Sequence, residues 1–231
     1  MTINFTRFGS ALIALISVIA ASQAYAGELK YTLVGALGSG SGLDCDITTV
    51  QAATAGNDLA ITFKEMNIDM PAGTAPATRT QWGNCQVLMK VTVPAGETVT
   101  TLQSGLIGGI EKDLGVWGYI VATAKLVEKI PAIVSTKTAY RVIGPTLYMS
   151  RHMGAGEVIS EPLFEMNQAK ALPAFSRGEI CRLTAKQSAD IGLVVQVQLS
   201  ATRPNASKTA IVNVDTSDNR MNLAMNSEAC R

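Results

Sequence analysis

The side chains able to do chemistry in this chain are few. One histidine is present, His152, in the run Tyr148-Met149-Ser150-Arg151-His152-Met153-Gly154, so any Ser-His-Asp or Cys-His mechanism has to use it. No nucleophile motif stands beside it. The loop Gly38-Ser39-Gly40-Ser41-Gly42 has glycine at the centre, where a G-x-S-x-G nucleophile elbow needs serine, and it lacks the Gly-Lys-Ser/Thr ending of a phosphate loop. Asp44 with Asp46 and Glu161 with Glu165 offer paired carboxylates of the type a glycosidase uses, but nothing in their spacing sets them across a cleft. Asp44 and Asp46, or Asp215, Asp218 and Asn219, could face calcium, yet neither set follows the twelve-residue EF-hand loop. Asx turns at strand ends account for both sets. The sequence calls for no metal and no cofactor.

The four cysteines, Cys45, Cys85, Cys181 and Cys230, have neither two-residue spacing nor neighbouring histidines, so a zinc site is disfavoured. An even count in an exported chain reads as two disulfides. Three connectivities are open, and proximity in sequence favours Cys45 with Cys85 and Cys181 with Cys230. The remaining chemistry is recognition by aromatic rings. Trp82, Trp117, Tyr119 and Tyr148 are the credible members of an exposed ligand platform. Trp117 and Tyr119 read first as core or sheet-face aromatics. Asn205-Ala206-Ser207 is a formal glycosylation acceptor that a turn explains equally well.

Export is written at the N-terminus. Arg7 precedes an apolar run from Ala11 to Ala21 that is too short to span a bilayer, and the run ends at Ala24-Tyr25-Ala26, with small residues two apart. This predicts a signal peptide over residues 1–26, with cleavage before Gly27, and a soluble domain over residues 27–231. No cysteine follows to carry a lipid, and no later segment predicts a membrane span. The 231 residues carry 19 Lys and Arg against 18 Asp and Glu. Removing the leader removes Arg7 and no acid, so the mature chain is formally neutral and has no electrostatic footprint for nucleic acid.

The elements that must position these residues read as strands. Hydrophobic residues make up 47% of the chain and aromatics only 5%, so the apolar mass is aliphatic. Short runs rich in Val, Ile and Thr alternate in polarity between Gly, Pro, Asn and Asp clusters. Leu59, Ile61 and Phe63 alternate with polar or small residues after a Gly56-Asn57-Asp58 turn. Gln86 to Val93 alternates likewise, and after Pro94-Ala95-Gly96-Glu97 the stretch Thr98 to Leu106 reads as its hairpin partner, broken by Gly108-Gly109. Gly115 to Leu126 is a long strand. Leu193 to Ser200 puts Val195, Val197 and Leu199 on one face, and Ala210, Val212 and Val214 alternate after a turn at 203–207. Glu161-Pro162 followed by Leu163 to Lys170 reads as a short surface helix, with proline near its start. This antiparallel pattern, one face dry and one wet, predicts an all-β, two-sheet sandwich of roughly 8 to 10 strands. A boundary between two smaller sandwiches would fall near 129–135.

The cysteine-centred segments resemble a known family. Gly38-Ser39-Gly40-Ser41-Gly42 before Cys45, Leu59-Ala60-Ile61-Thr62-Phe63, Asn84-Cys85-Gln86 leading to Val93-Pro94-Ala95-Gly96, and Gly144-Pro145 resemble the secreted family called domain of unknown function 4360. In that family a cysteine opens a late strand and a last cysteine lies near the terminus, places that Cys181 and Cys230 occupy. The resemblance implies export, disulfides and a β fold. It implies no activity and no catalytic residues. The 40-residue interval from Cys45 to Cys85 is also similar to the disulfide spacing of chaperone-usher pilin domains. The expectation is a secreted or periplasmic, non-enzymatic binding or structural protein with a glycan or envelope-protein partner. A secreted hydrolase and a pilin-like surface-assembly subunit are the alternatives.

Overall fold

The computed structural model describes residues 27–41, 45–64, 66–74, 80–129, 141–214 and 220–231. The leader, Asp44, Asp215, Asp218, Asn219 and most of the 129–135 boundary lie outside them. The strands are β1 (Lys30–Gly40), β2 (Val50–Ala55), β3 (Asp58–Phe63), β4 (Asn67–Met70), β5 (Thr80–Val93), β6 (Glu97–Lys112), β7 (Trp117–Val127), β8 (Leu147–Met153) and β9 (Ile159–Ala171). A single described helix, α1 (Ala174–Thr184), precedes β10 (Ala189–Thr202), β11 (Ala210–Asn213) and β12 (Met221–Ala229).

These strands form two antiparallel sheets. One has the order β1-β5-β10-β7-β8. In the other, the long strand β6 carries β9 along one edge and β12 followed by β11 along its other edge. The strands β3 and β4 continue that sheet beyond β12 and β11, and β2 closes it. The fold is the expected sandwich, with twelve strand segments because β3/β4 and β11/β12 are rows interrupted partway. Alternation sets the layers. Val87, Met89 and Val91 of β5 and Val195, Val197 and Leu199 of β10 meet Ile61, Phe63, Leu102, Leu106, Met221 and Leu223 of the facing sheet in one core. Both expected disulfides are present, Cys45–Cys85 and Cys181–Cys230.

Four local expectations change. Thr98 to Leu106 is not the hairpin partner of Gln86 to Val93, since the turn at Pro94-Ala95-Gly96 carries the chain from one sheet to the other. Gly96, at φ +72, makes that sharp exit possible. Gly108-Gly109 does not end β6; the strand runs through, and Gly109 is the one residue facing the pair Pro162-Leu163 of β9. Residues 163–170 are strand, not helix. Phe164 is buried on a period of two, and pairing with the free edge of β6 outweighs helix propensity, while Pro162 is tolerated in an edge strand at a bulge. The helix starts one proline later, after Pro173, and Cys181 lies on it rather than at the opening of a strand.

Candidate functional site

The four aromatics singled out by type lie on one surface, the outward face of the five-stranded sheet. Cross-strand register puts Trp82 of β5, Ser200 of β10, Tyr119 of β7 and His152 of β8 in one row. Their neighbours along each strand, such as Gly83, Leu199 and Ile120, point the other way, with Leu199 and Ile120 buried in the core. Trp117 lies two residues from Tyr119 on the same face, in register with Thr202 and Thr80. Trp82 and Trp117 are 47% and 50% exposed, large aromatic residues left open to a ligand. Ser200 is only 7% exposed, as expected of a floor position between two rings. Trp82 and Tyr119 stand two strand spacings apart, about 10 Å. Tyr148, 53% exposed, is two rows further along, on the edge strand β8.

The groups around the rings are neutral donors and acceptors. Thr80 and Thr202 share a hydroxyl hydrogen bond of 2.9 Å, and Gln196 Nε2 donates to Asn84 Oδ1 at 2.8 Å. Gln86, Gln198 and Ser150 complete the rows. In the rows from Trp117 to Tyr148, β5, β10, β7 and β8 contribute no Asp, Glu, Lys or Arg; Lys125 comes next along β7, and Asp46, bridged to Leu37 beside Gln86, lies at the β1 end of the Tyr148 row. Further along the same face, Leu88, Val127 and Val194 pack on one another as a second apolar cluster. Val194 is therefore buried, although alternation alone puts it on the wet side.

Among the described residues, the groups expected for catalysis do not converge. His152 is exposed, and its row holds neither a carboxylate nor a nucleophile beyond the buried Ser200. Glu161 and Glu165 are turned apart by the bulge at Pro162-Leu163. Glu161 pairs with Arg151 of β8 at 2.7 Å, and Glu165 accepts from Asn167 Nδ2 at 2.8 Å. Asp46 forms an Asx turn, its Oδ1 accepting from the Thr48 hydroxyl and amide at 2.6 Å each, which holds its carboxyl below the usual range. Asn205 Oδ1 accepts from Ser207 N at 3.0 Å, the turn reading of the formal glycosylation acceptor. Among the described residues no group of three or more His, Cys, Asp or Glu is placed to hold a metal. Also among them, no helix is long and apolar enough to cross a membrane.

A second concave surface escaped the sequence reading. On the outward face of the other sheet, register aligns Asn167, Gly105, Asn222, Ala60 and Ala53, with Ala169, Gln103, Ala224, Asp58 and Ala55 in the next row. Small residues at the centre and amides at the sides leave a trough of about 620 Å³. Ala53 and Ala55 of β2 with Ala60 of β3 were the available signal. It acquires meaning only once five strands are in register.

No family model and no curated protein matches this chain. Among solved structures, it is similar at 10% identity and a TM-score of 0.26 to the enzymatically active domain of bacteriophage CBA120 tailspike protein 4, over 84% of this chain and 19% of the tailspike chain. It is similar at 10% identity and a TM-score of 0.25 to TmCBM61, solved in complex with β-1,4-galactotriose, over 84% of this chain and 88% of that one. Likenesses this slight bear on neither ligand nor mechanism.

Proposed function

We propose that this chain is an exported, non-enzymatic binding protein of the periplasm or extracellular space, and that it holds a neutral glycan on the aromatic face of the five-stranded sheet. The exported unit is residues 27–231 as one domain. The observation that carries this reading is the row Trp82, Ser200, Tyr119 and His152 with Trp117 beside it: half-exposed aromatic residues over a floor of uncharged hydroxyls and amides. Pyranose rings present apolar C–H faces to an aromatic and equatorial hydroxyls to its neighbours. A platform about 10 Å across accommodates more than one sugar ring. The uncharged rows of β5, β10, β7 and β8 favour neutral polysaccharide over anionic glycans, and Asp46 at the far end of the Tyr148 row disfavours the anionic ones further. Two disulfides are compatible with an oxidising compartment.

The test is retention on a panel of insoluble neutral polysaccharides, followed by titration with soluble fragments of any that bind. Trp82→Ala and Trp117→Ala are each expected to weaken binding about tenfold or more with the fold intact. Ala224→Arg, which fills the trough of the other sheet, is expected to leave binding unchanged. Release of reducing ends would return the hydrolase alternative, and binding lost only in Ala224→Arg would move the site to the trough.

The surface-assembly reading has one observation in its favour. The edge strand β2, Val50–Ala55, has five exposed residues, no charge and no proline, and among the described strands it pairs only with β3. Such an edge is open to strand addition. Assembly through it predicts oligomers in size-exclusion chromatography that Ala53→Lys abolishes.

A further inference from the structure

The N-terminal end of the described chain meets a buried acid. The backbone nitrogen of Gly27 donates to Glu97 Oε1. Glu97 is 8% exposed, and its second oxygen, Oε2, is buried without a hydrogen-bond partner. The ion pairs among the described residues join Lys90 with Asp190, Arg141 with Glu128 and Glu179, Arg151 with Glu161, and Arg177 with Glu228; none reaches Glu97. A carboxylate shut away with one oxygen unpaired is costly, because the lost hydration is not replaced.

The surroundings hold this acid in place. Glu97 N donates to Pro94 O at 3.2 Å, and Thr184 Oγ1 donates to Glu97 O at 2.7 Å. Gly96 N donates to Thr184 O at 2.8 Å, and Cys230 N donates to Gly96 O at 2.7 Å. The Cys181–Cys230 disulfide binds α1 to the same corner. Gly27 itself is closely fitted: a Cβ there would come within 2.8 Å of Pro94 Cγ and 3.0 Å of Glu97 Oε1. Ser227 Oγ donates to Gly27 O at 3.4 Å. Packing therefore asks for glycine at the position that follows the predicted cleavage point.

We propose that the α-ammonium created by cleavage after Ala26 is the missing partner of Glu97, so that signal-peptide removal completes the fold by seating the new N-terminus in the corner of Pro94, Glu97 and Ser227. Hydrolysis of the Ala26–Gly27 amide consumes one water, leaves a carboxylate on Ala26 and, at neutral pH, an ammonium on Gly27. Before cleavage this nitrogen has one hydrogen and no charge, enough for Oε1 alone. Afterwards it has three hydrogens and a positive charge, enough for both oxygens of the acid. The leader-bearing precursor is then the looser form of the protein. The inference rests on the export reading and is independent of the glycan.

The test uses four disulfide-intact proteins, beginning at Gly27 or at Ala26, each with Glu97 or Glu97→Gln. Retaining Ala26 is expected to lower Tm by about 4 °C with Glu97 and by less than about 1 °C with Glu97→Gln. Equal losses in the two backgrounds, or none, overturn the socket. Should the Gln variant not fold, no loss in the unsubstituted pair still overturns the socket, and the reactivity of the Gly27 amine decides otherwise. The Gly27 amine should react with an acylating ester about tenfold more slowly than the amine of the Ala26-extended protein, and equal rates overturn the proposal. N-terminal mass spectrometry of the exported protein separates the two readings. A start other than Gly27 overturns processing at this site, whereas a start at Gly27 without coupling overturns the socket and leaves export standing.

Discussion

Arg203 shows how one side chain can organise the end of the sandwich through backbone carbonyls. Arg203 is 4% exposed, and its guanidinium group donates to the carbonyls of Met70, Pro71 and Lys208 through NH1, at 3.4, 3.0 and 3.3 Å, and to that of Thr74 through NH2 at 3.2 Å. These carbonyls belong to the chain leaving β4 and to the turn between β10 and β11, and only a planar fork can reach all of them. Arg203→Ala is expected to cost about 3 kcal/mol, because it leaves buried carbonyls unpaired as well as a void. Arg203→Lys is expected to recover less than half of that, as judged by urea midpoints. A lysine variant as stable as the parent would show that the fork geometry is irrelevant. Asp46 illustrates a weaker contribution with a definite sign. Its folded pKa lies below the ordinary 3.8, so its stabilisation is present at neutral pH and is lost as the pH falls through the lowered value. The penalty of Asp46→Ala should therefore shrink on acidification below pH 4, and a penalty that grew instead would reverse the assignment.

Strands position the aromatic row and the trough, and their contacts account for what the sequence revealed and what it concealed. Alternation in β3, β5 and β10 was legible because one face of each is aliphatic. Which strand lies beside which was not, because Pro94-Ala95-Gly96 serves a hairpin and a crossing between sheets equally well. Residues 163–170 misled for a related reason: Glu161-Pro162 resembles a helix start, and only the open edge of β6 makes it a bulged strand. The aromatics could be named by type, but the row that joins Trp82 to Tyr119 exists only through β10. The trough was invisible since Ala53, Ala60, Gly105 and Ala224 mean nothing singly. Close approach at β7 and β10 is similarly hidden in one glycine. A Cβ on Gly118 would lie 2.1 Å from Ser200 O, between the two strands that carry the aromatic row. Gly118→Ala is expected to cost about 3 kcal/mol and to weaken any glycan binding with it. Gly154→Ala, whose nearest neighbour would be Glu157 Oε1 at 3.6 Å, should stay within about 0.5 kcal/mol of the parent. Equal effects in chemical denaturation would remove the claim that backbone approach limits position 118.

At the scale of the whole molecule, two staples of similar loop length are set in different surroundings. Cys45–Cys85 closes an interval of 40 residues and Cys181–Cys230 one of 49, each worth about 4 kcal/mol if constraint of the unfolded chain dominates. The first lies in the core, with Cys85 fully buried and Cys45 6% exposed; it ties the chain after β1 to β5, the neighbouring strand of the five-stranded sheet. The second joins partly exposed cysteines on α1 and behind β12, at the corner where the Gly27 nitrogen meets Glu97. Thiolate attack requires access to a sulfur atom, so exposure decides the order of opening in the folded protein. Under mild reduction at neutral pH, Cys181–Cys230 should open first. The product should keep its far-ultraviolet spectrum and lose hydrogen-exchange protection locally in α1 and the end of β12. Cys45–Cys85 should open only with global unfolding. Timed alkylation with peptide mapping reads the order directly. If both bridges opened together, the corner would have no independent stability and the chain would unfold as one cooperative unit. If Cys181–Cys230 opened first, the unsubstituted Gly27 protein would then lose most of its Tm advantage over the Ala26-extended form, because the disulfide and the N-terminal contact stabilise the same corner.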